Sequence, residues 1–328
     1  LKNVKSLNSK QEFLIRIGQS IRGKKAVTQT TNLTTQTNSD NYPATVQKYF
    51  WNWEGSAIEI IYETRGQGKP VLLLPAFSTI STRQEMRPLA EFLAPNFQVV
   101  SVDWPGFGES SRPPIDYKPQ LYHQFLKDFV GAIFNSPVAV VAAGHAAGYV
   151  MELAQLKPDV LSKIVLAAPT WRGPLPTMSK GQSKWHEMVR ELVRSPLIGQ
   201  FLYKLNTAPS FLAWMCRRHV FADAAKITPD FIQNKWQVTQ KTGARFGSAA
   251  FVTGGLDAAK TREEFLAKFQ KLPVPVMVVL AGKSPPKSKA EMEAIAQLPG
   301  VESVVIPGSL ALHEEFAADL AIAVKSFI

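Results

Sequence analysis

Five residues, Gly144-His145-Ala146-Ala147-Gly148, follow the apolar run that begins at Val138, with the spacing of a turn built to expose a nucleophile. In the Gly-x-Ser-x-Gly form of this turn the glycines permit a cramped strand-to-helix reversal. Its strained middle residue then projects a side chain at the head of the next helix. The middle residue here is Ala146, which projects only a methyl group. His145, beside it, and His313, in the segment Gly308–Glu315, are the residues left to carry protons by another route. Ser78 is either a polar ligand contact or a plain loop residue. No grouping of His, Asp, Glu and Cys has metal-ligand spacing, so neither metal nor cofactor is expected. Gly243-Ala244-Arg245-Phe246-Gly247 is not a phosphate loop, because no strand precedes it and no Gly-Lys-Ser/Thr closes it.

The elements that must position this turn are legible around it. Val71–Leu74, Val99–Val102, Ile164–Ala167, Val276–Leu280 and Val304–Ile306 read as short buried strands, and Glu85–Leu93 carries apolar residues at helical spacing. Strands alternating with helices imply a mainly parallel sheet covered on both faces. A long helical insertion separates Pro169 from the later strands.

Asp103-Trp104-Pro105-Gly106-Phe107-Gly108-Glu109-Ser110 is similar to the loop after the fourth strand of the α/β-hydrolase family, and Gly144–Gly148 stands where that family has its nucleophile elbow. Over residues 46–328 the chain resembles this family. The resemblance implies an α/β fold with a mainly parallel, doubly wound sheet and a helical cap. The expected division is 1–45 as a basic extension and linker, 46–170 as the first part of the core, 171–257 as the cap and 258–328 as the rest of the core.

The resemblance also implies where a triad would stand. The acid belongs after Val276–Leu280, where Ser284 is found. The histidine belongs in a segment like Gly-x-His-x-x-His-Glu-Glu, which here places Leu310 at the catalytic position and His313 at the second, non-catalytic one. A serine nucleophile is weak without a base to accept its proton and a carboxylate to orient that base. With Ala146, Ser284 and Leu310 at the three positions, serine chemistry is not expected. The backbone N–H groups of Phe77 and Ala147 remain as a donor pair, since that geometry needs no side chain. A pocket lined by Phe77, Ser78, Trp104, Ala146, Ala147 and Leu310, together with cap aromatics, is expected to be apolar.

The 328 residues suffice for one large core with a cap, and no apolar run is long enough to cross a membrane. Cys216 is the single cysteine, which excludes an internal disulfide and fits a reducing compartment, cytoplasmic or stromal. The net charge of +11 is unevenly spread. Residues 1–40 hold 7 Lys/Arg against 2 Asp/Glu, residues 171–250 hold 12 against 4, and the remainder holds 18 against 20. Val4, Leu7, Leu14, Ile15, Ile17 and Ile21 fall on one side of a helical wheel, a basic amphipathic pattern suited to a membrane surface or a partner groove. Residues 29–41 read as a polar linker. The alternative is a targeting leader remnant in residues 1–40. The basic, aromatic cap packs chiefly onto the core, and no nucleic-acid module is present.

Two functions follow. The first is a non-hydrolytic binding or interaction protein for an apolar or anionic ligand, an anionic membrane surface or an acidic protein. The second is an enzyme of hydrolase descent working through His145 or His313. Fold alone does not choose between them.

Overall fold

A computed structural model describes residues 42–179 and 181–328. The basic amphipathic segment and polar linker expected at the start of the chain lie outside these residues.

The chain opens with a hairpin. Strand β1 (Thr45–Trp53) pairs antiparallel with β2 (Ser56–Arg65), and Glu54 and Gly55 form the two-residue turn with φ of 47° and 81°. Two positive φ values mark the turn whose twist matches that of paired strands. Six further strands follow: β3 (Lys69–Leu74), β4 (Phe97–Val102), β5 (Val138–Ala143), β6 (Leu161–Ala167), β7 (Val276–Ala281) and β8 (Val301–Ile306). The sheet order is β1-β2-β4-β3-β5-β6-β7-β8, parallel from β4 to β8, with the β1–β2–β4 edge antiparallel. Every residue of β5 and of β7 is buried, as a strand covered on both faces requires.

Helices α1 (Arg87–Leu93), α2 (Pro119–Ile133) and α3 (Ala146–Leu156) cover the first half of the sheet. The expected helix at 85–93 divides in two. A 3-10 turn at Arg83–Met86 is closed by a capping box between Thr82 and Glu85, and α1 begins after it with a proline in its first turn. Between β6 and β7 lie α4 (Pro174–Met178), α5 (Lys184–Arg194), α6 (Leu197–Asn206), α7 (Pro209–Met215), α8 (Pro229–Thr239), α9 (Ala244–Val252) and α10 (Arg262–Ala267). A small second core of Leu212, Cys216, Phe221, Ile227, Ile232 and Ala311 joins this insertion to the last loop. Helix α11 (Pro286–Ala296) precedes β8, and α12 (Leu312–Glu315) and α13 (Ala317–Phe327) end the chain.

The loop after β4 is held by buried charge. The Asp103 carboxylate accepts from the Arg83 backbone N–H at 2.6 Å, the Arg83 guanidinium at 2.5 Å and the Glu109 N–H at 2.9 Å. Burial pushes the Asp103 carboxyl upward from its ordinary value, against the pull of Arg83. Gly108, at φ 53°, leaves no room for a side chain, because a Cβ there would strike the Asp103 carboxylate. That contact explains the second glycine of the Pro-Gly-Phe-Gly run.

Candidate active site

Strand β5 delivers the turn to the head of the sheet, but the apex is not the expected residue. Gly144 takes the positive backbone angle, φ 52°, while His145 already has helical angles and Ala146 is the first residue of α3. A left-handed residue costs glycine nothing and any other residue about 1–2 kcal/mol, so the reversal falls on the glycine. The residue in the elbow's strained position is thus Gly144, two residues before the position read from the spacing. Ala146 and Ala147 are fully buried within the helix. The Ala147 N–H closes the first turn onto the Gly144 carbonyl at 3.3 Å, which withdraws it from the donor pair expected with Phe77. The N–H groups of Phe77 and His145 donate to no protein group among the described residues.

His145, the residue after the apex, stands at the centre of a hydroxyl–imidazole–carboxylate series. Its Nδ1 lies 2.9 Å from Thr170 Oγ1 and its Nε2 lies 3.2 Å from Asp257 Oδ1. The Asp257 carboxylate also accepts the Gly173 N–H at 2.8 Å and the Gln182 side-chain amide at 3.2 Å. Thr170 Oγ1 is 3.6 Å from the place a Cβ on Gly144 would occupy, so a hydroxyl stands beside the elbow although none stands on it. The His145 and Asp257 side chains are 4% and 5% exposed, which leaves the series almost dry.

The other anticipated triad positions are Ser284 and Leu310. Ser284 is buried, and its hydroxyl donates to the Ala281 carbonyl at 2.7 Å. Leu310 packs against the core as a half-buried side chain. His313 is buried elsewhere and meets Glu85 at 3.2 Å. The His313-Glu314-Glu315 run is a clamp. His313 binds Glu85 beside α1, Glu314 takes the Lys235 ammonium of α8 at 2.9 Å, and Glu315 accepts the Ala222 and Asp223 N–H groups at 2.8 and 2.7 Å. Burial pushes the Glu85 carboxyl up, but His313 and Lys235 outweigh it and hold the group below its ordinary value. For Lys235 burial works downward, and Glu314 with Glu85 outweighs it, so this ammonium is held above its ordinary value.

The residues expected to line an apolar pocket are packed together. Phe77 stacks on Trp104 at 4.7 Å and meets Tyr122 and Tyr149 at 4.8 and 5.4 Å, all four rings being buried. Trp104 also donates from its indole N–H to the Pro75 carbonyl at 2.8 Å. Ser78 is a loop residue whose hydroxyl accepts the Ile80 N–H at 3.2 Å. Beside the loop after β4, a crevice among Thr79, Ser81, Phe107, Arg112, Val238 and Ser248 has no space that a water molecule could enter. A wider groove of about 720 Å³ lies between Thr45, Thr64, Arg65 and Gln98, with no elbow residue in its lining. No group of three or more potential metal ligands exists among the described residues.

Neither Thr170 nor Asp257 lies in a motif legible in the sequence. Thr170 follows Pro169 at the end of a strand and Asp257 follows a Gly-Gly-Leu run, which are loop signals without chemistry of their own.

The geometry agrees with comparisons against known proteins. The model of a family described as the alpha/beta hydrolase family matches residues 71–323. The chain is 25% identical over 111 residues to a 2-hydroxy-6-oxo-6-(2'-aminophenyl)hexa-2,4-dienoic acid hydrolase of Metapseudomonas resinovorans, covering 33% of this chain and 38% of that protein's length. Among solved structures, Cfl2 from Burkholderia cenocepacia aligns with TM-score 0.66 at 21% identity, over 86% of this chain and 95% of that one. A bromoperoxidase from Bacillus anthracis aligns with TM-score 0.66 at 19% identity, over 86% of this chain and 99% of that one. At these identities the structural likeness extends to the fold.

Proposed function

We propose a non-hydrolytic binding or interaction role for this chain, which belongs to the alpha/beta hydrolase family. The observation that carries this reading is the glycine at the apex of the elbow. Gly144 has no side chain to attack a substrate, and Ala146 sits inside α3 with its methyl group buried. Ser284 and Leu310 supply neither acid nor base, and His313 is engaged with Glu85. The closed packing around Phe77 and Trp104 favours contact at the surface over a ligand held between cap and core, since ligand cavities commonly span about 300–1,000 Å³. The excess of 12 basic over 4 acidic residues in 171–250 favours an anionic partner. No helix among the described residues is long and apolar enough to cross a membrane.

The test is activity-based labelling of the full chain with a fluorophosphonate probe, alongside turnover of short-chain esters. No labelling and no turnover above background are expected. The single variants Gly144→Ser and Ala146→Ser should stay inactive, since the adjacent imidazole of His145 is already engaged by Thr170 and Asp257. Strong labelling of the unaltered protein would sink this reading.

A second reading, an enzyme of hydrolase descent, rests on the Thr170–His145–Asp257 series. Thr170 Oγ1 would attack an ester carbonyl while His145 Nδ1 accepts its proton and passes it to the departing alcohol as the ester C–O bond breaks, leaving an acyl–Thr170 ester. Asp257 would orient the imidazole through Nε2, and water would release the acyl group. The distances of 2.9 and 3.2 Å suit such a relay. Labelling that disappears in both Thr170→Val and His145→Gln would decide for it.

A further inference from the structure

Three consecutive helices of the cap, α5, α6 and α7, pack on one another in sequence, and the first two leave apolar rows uncovered. On α5 the row is Trp185, Met188 and Leu192, spaced i, i+3, i+7; on α6 it is Leu197, Phe201 and Leu205, spaced i, i+4, i+8. Both spacings keep a row on one side of its helix. The exposures are far from marginal: Leu197 is 86%, Met188 72% and Phe201 62% exposed. Trp214 of α7 is also exposed. Single exposed apolar residues need no explanation, but rows on two neighbouring helices, with Trp214 on the next, amount to a surface awaiting a partner.

The charges around these rows point to the partner's chemistry. Lys184, Lys204, Arg217 and Arg218 are all exposed, and none meets a carboxylate among the described residues. Helix α5 also carries two acidic residues, the exposed Glu187 and Glu191, which lies 3.8 Å from Arg190 and 3.6 Å from Arg194. Aliphatic side chains, indole rings and long basic stems together suit the boundary of a lipid bilayer. Apolar groups enter the acyl region there, tryptophan sits at the headgroups, and ammonium or guanidinium groups reach the phosphates. A protein interface would instead deplete lysine around its buried centre.

We propose that the α5–α7 face of the cap seats this protein on an anionic lipid bilayer. This deepens the anionic-surface reading above and is independent of whether the elbow retains chemistry. Substituting exposed residues leaves the sheet and its core intact, so the variants needed to test it should fold.

The experiment is co-sedimentation of the full chain with phosphatidylcholine vesicles with and without phosphatidylserine, across a salt series. Binding should require phosphatidylserine and weaken as salt rises. Leu197→Asp and Phe201→Asp should each reduce it about tenfold or more. The pair Arg217→Glu and Arg218→Glu should reduce it about thirtyfold or more. Circular dichroism melts should match the unaltered protein. Trp185→Phe with Trp214→Phe should remove most tryptophan quenching by brominated lipid. Binding unchanged by Leu197→Asp and Phe201→Asp would overturn the proposal, as would concentration-dependent dimers that these variants dissolve while vesicles are ignored. Retention on a polyglutamate matrix without vesicle binding would overturn the lipid assignment alone. Failure on both matrices would overturn the anionic-surface reading as well. Ester turnover is measured separately, so activity would sink the non-hydrolytic reading without touching this one.

Discussion

His145 Nε2 lies 3.2 Å from Asp257 Oδ1, joining the residue after the elbow to the stretch by which the chain returns from the cap. The same carboxylate oxygen takes the Gly173 N–H, and the other imidazole nitrogen meets Thr170, both in the stretch that leads into the cap. One histidine therefore holds both ends of the insertion to the elbow.

Asp257→Ala should strip the imidazole and the Gly173 N–H of their shared acceptor. A buried hydrogen bond to a charged group contributes about 1.5–3 kcal/mol, and a loss of that size is expected in urea unfolding. Amide exchange should accelerate at 170–173 and 251–257 before it does in β5. Uniform acceleration across the sheet would contradict this anchoring role.

Asp103→Ala should be more damaging. It leaves Arg83 buried without its nearest partner, and breaking a buried pair costs about 3–5 kcal/mol. Glu63 at 3.4 Å and Glu109 at 2.6 Å still face the guanidinium, so the lower end of that range is expected. Thermal unfolding would measure it, and a loss no larger than that of an exposed substitution would refute the account.

Gly144→Ala should destabilise by about 1–2 kcal/mol through its positive φ alone. The added methyl group would also stand 3.0 Å from the Ala76 Cβ, adding to that loss. Equilibrium unfolding checks this, and a neutral effect would mean the apex lies elsewhere in solution.

The pH dependence has a definite sign. Burial pushes His123 down from 6.5 to about 4. The unfolded chain therefore takes up this proton first, so the associated stability is complete above pH 6.5 and is lost as pH falls toward 4. Glu85 is held below its ordinary 4.5, and its contribution disappears as pH falls through that lowered value. Lys235, held above its ordinary 10.5, acts in the opposite direction: its contribution is present below that value and fades as pH rises through the raised one. His123→Gln should flatten the stability curve between pH 6.5 and 4, and Glu85→Gln should flatten it below 4.5. Denaturant titrations across pH would show whether each slope follows its residue.

Much of the architecture was written in local patterns. Val71–Leu74, Val99–Val102 and Val276–Leu280 are apolar runs bounded by turn residues, and each became a strand within a residue or two of its expected limits. Such runs have few alternatives in a protein of this size, because burial on both faces of a parallel sheet demands continuous apolar side chains. The Asp103–Ser110 motif was equally legible, and the Asp103–Gly108 contact supplies its reason.

The site was less legible. Glycine spacing identified the turn but not which residue would bear the strain, since that depends on where β5 stops pairing with β6. The Gly144 N–H still bonds the Ala167 carbonyl, and the reversal begins at that residue. His313-Glu314-Glu315 matched a motif, whereas its partners on α1 and the cap could not be read from it. His145 and Asp257 are 112 residues apart, and His313 and Glu85 are 228 apart. By itself the sequence determined the order and type of the elements, the excess of basic residues in 171–250 and the lack of a serine within Gly144–Gly148, because these depend on residue identity and short-range periodicity. Only the tertiary structure decided that Gly144 is the apex, that Thr170, His145 and Asp257 converge, and that the cap's apolar rows face outward. Those outcomes depend on which distant segments are brought together, and the packing of the whole sheet with its cap sets that, which no local spacing encodes.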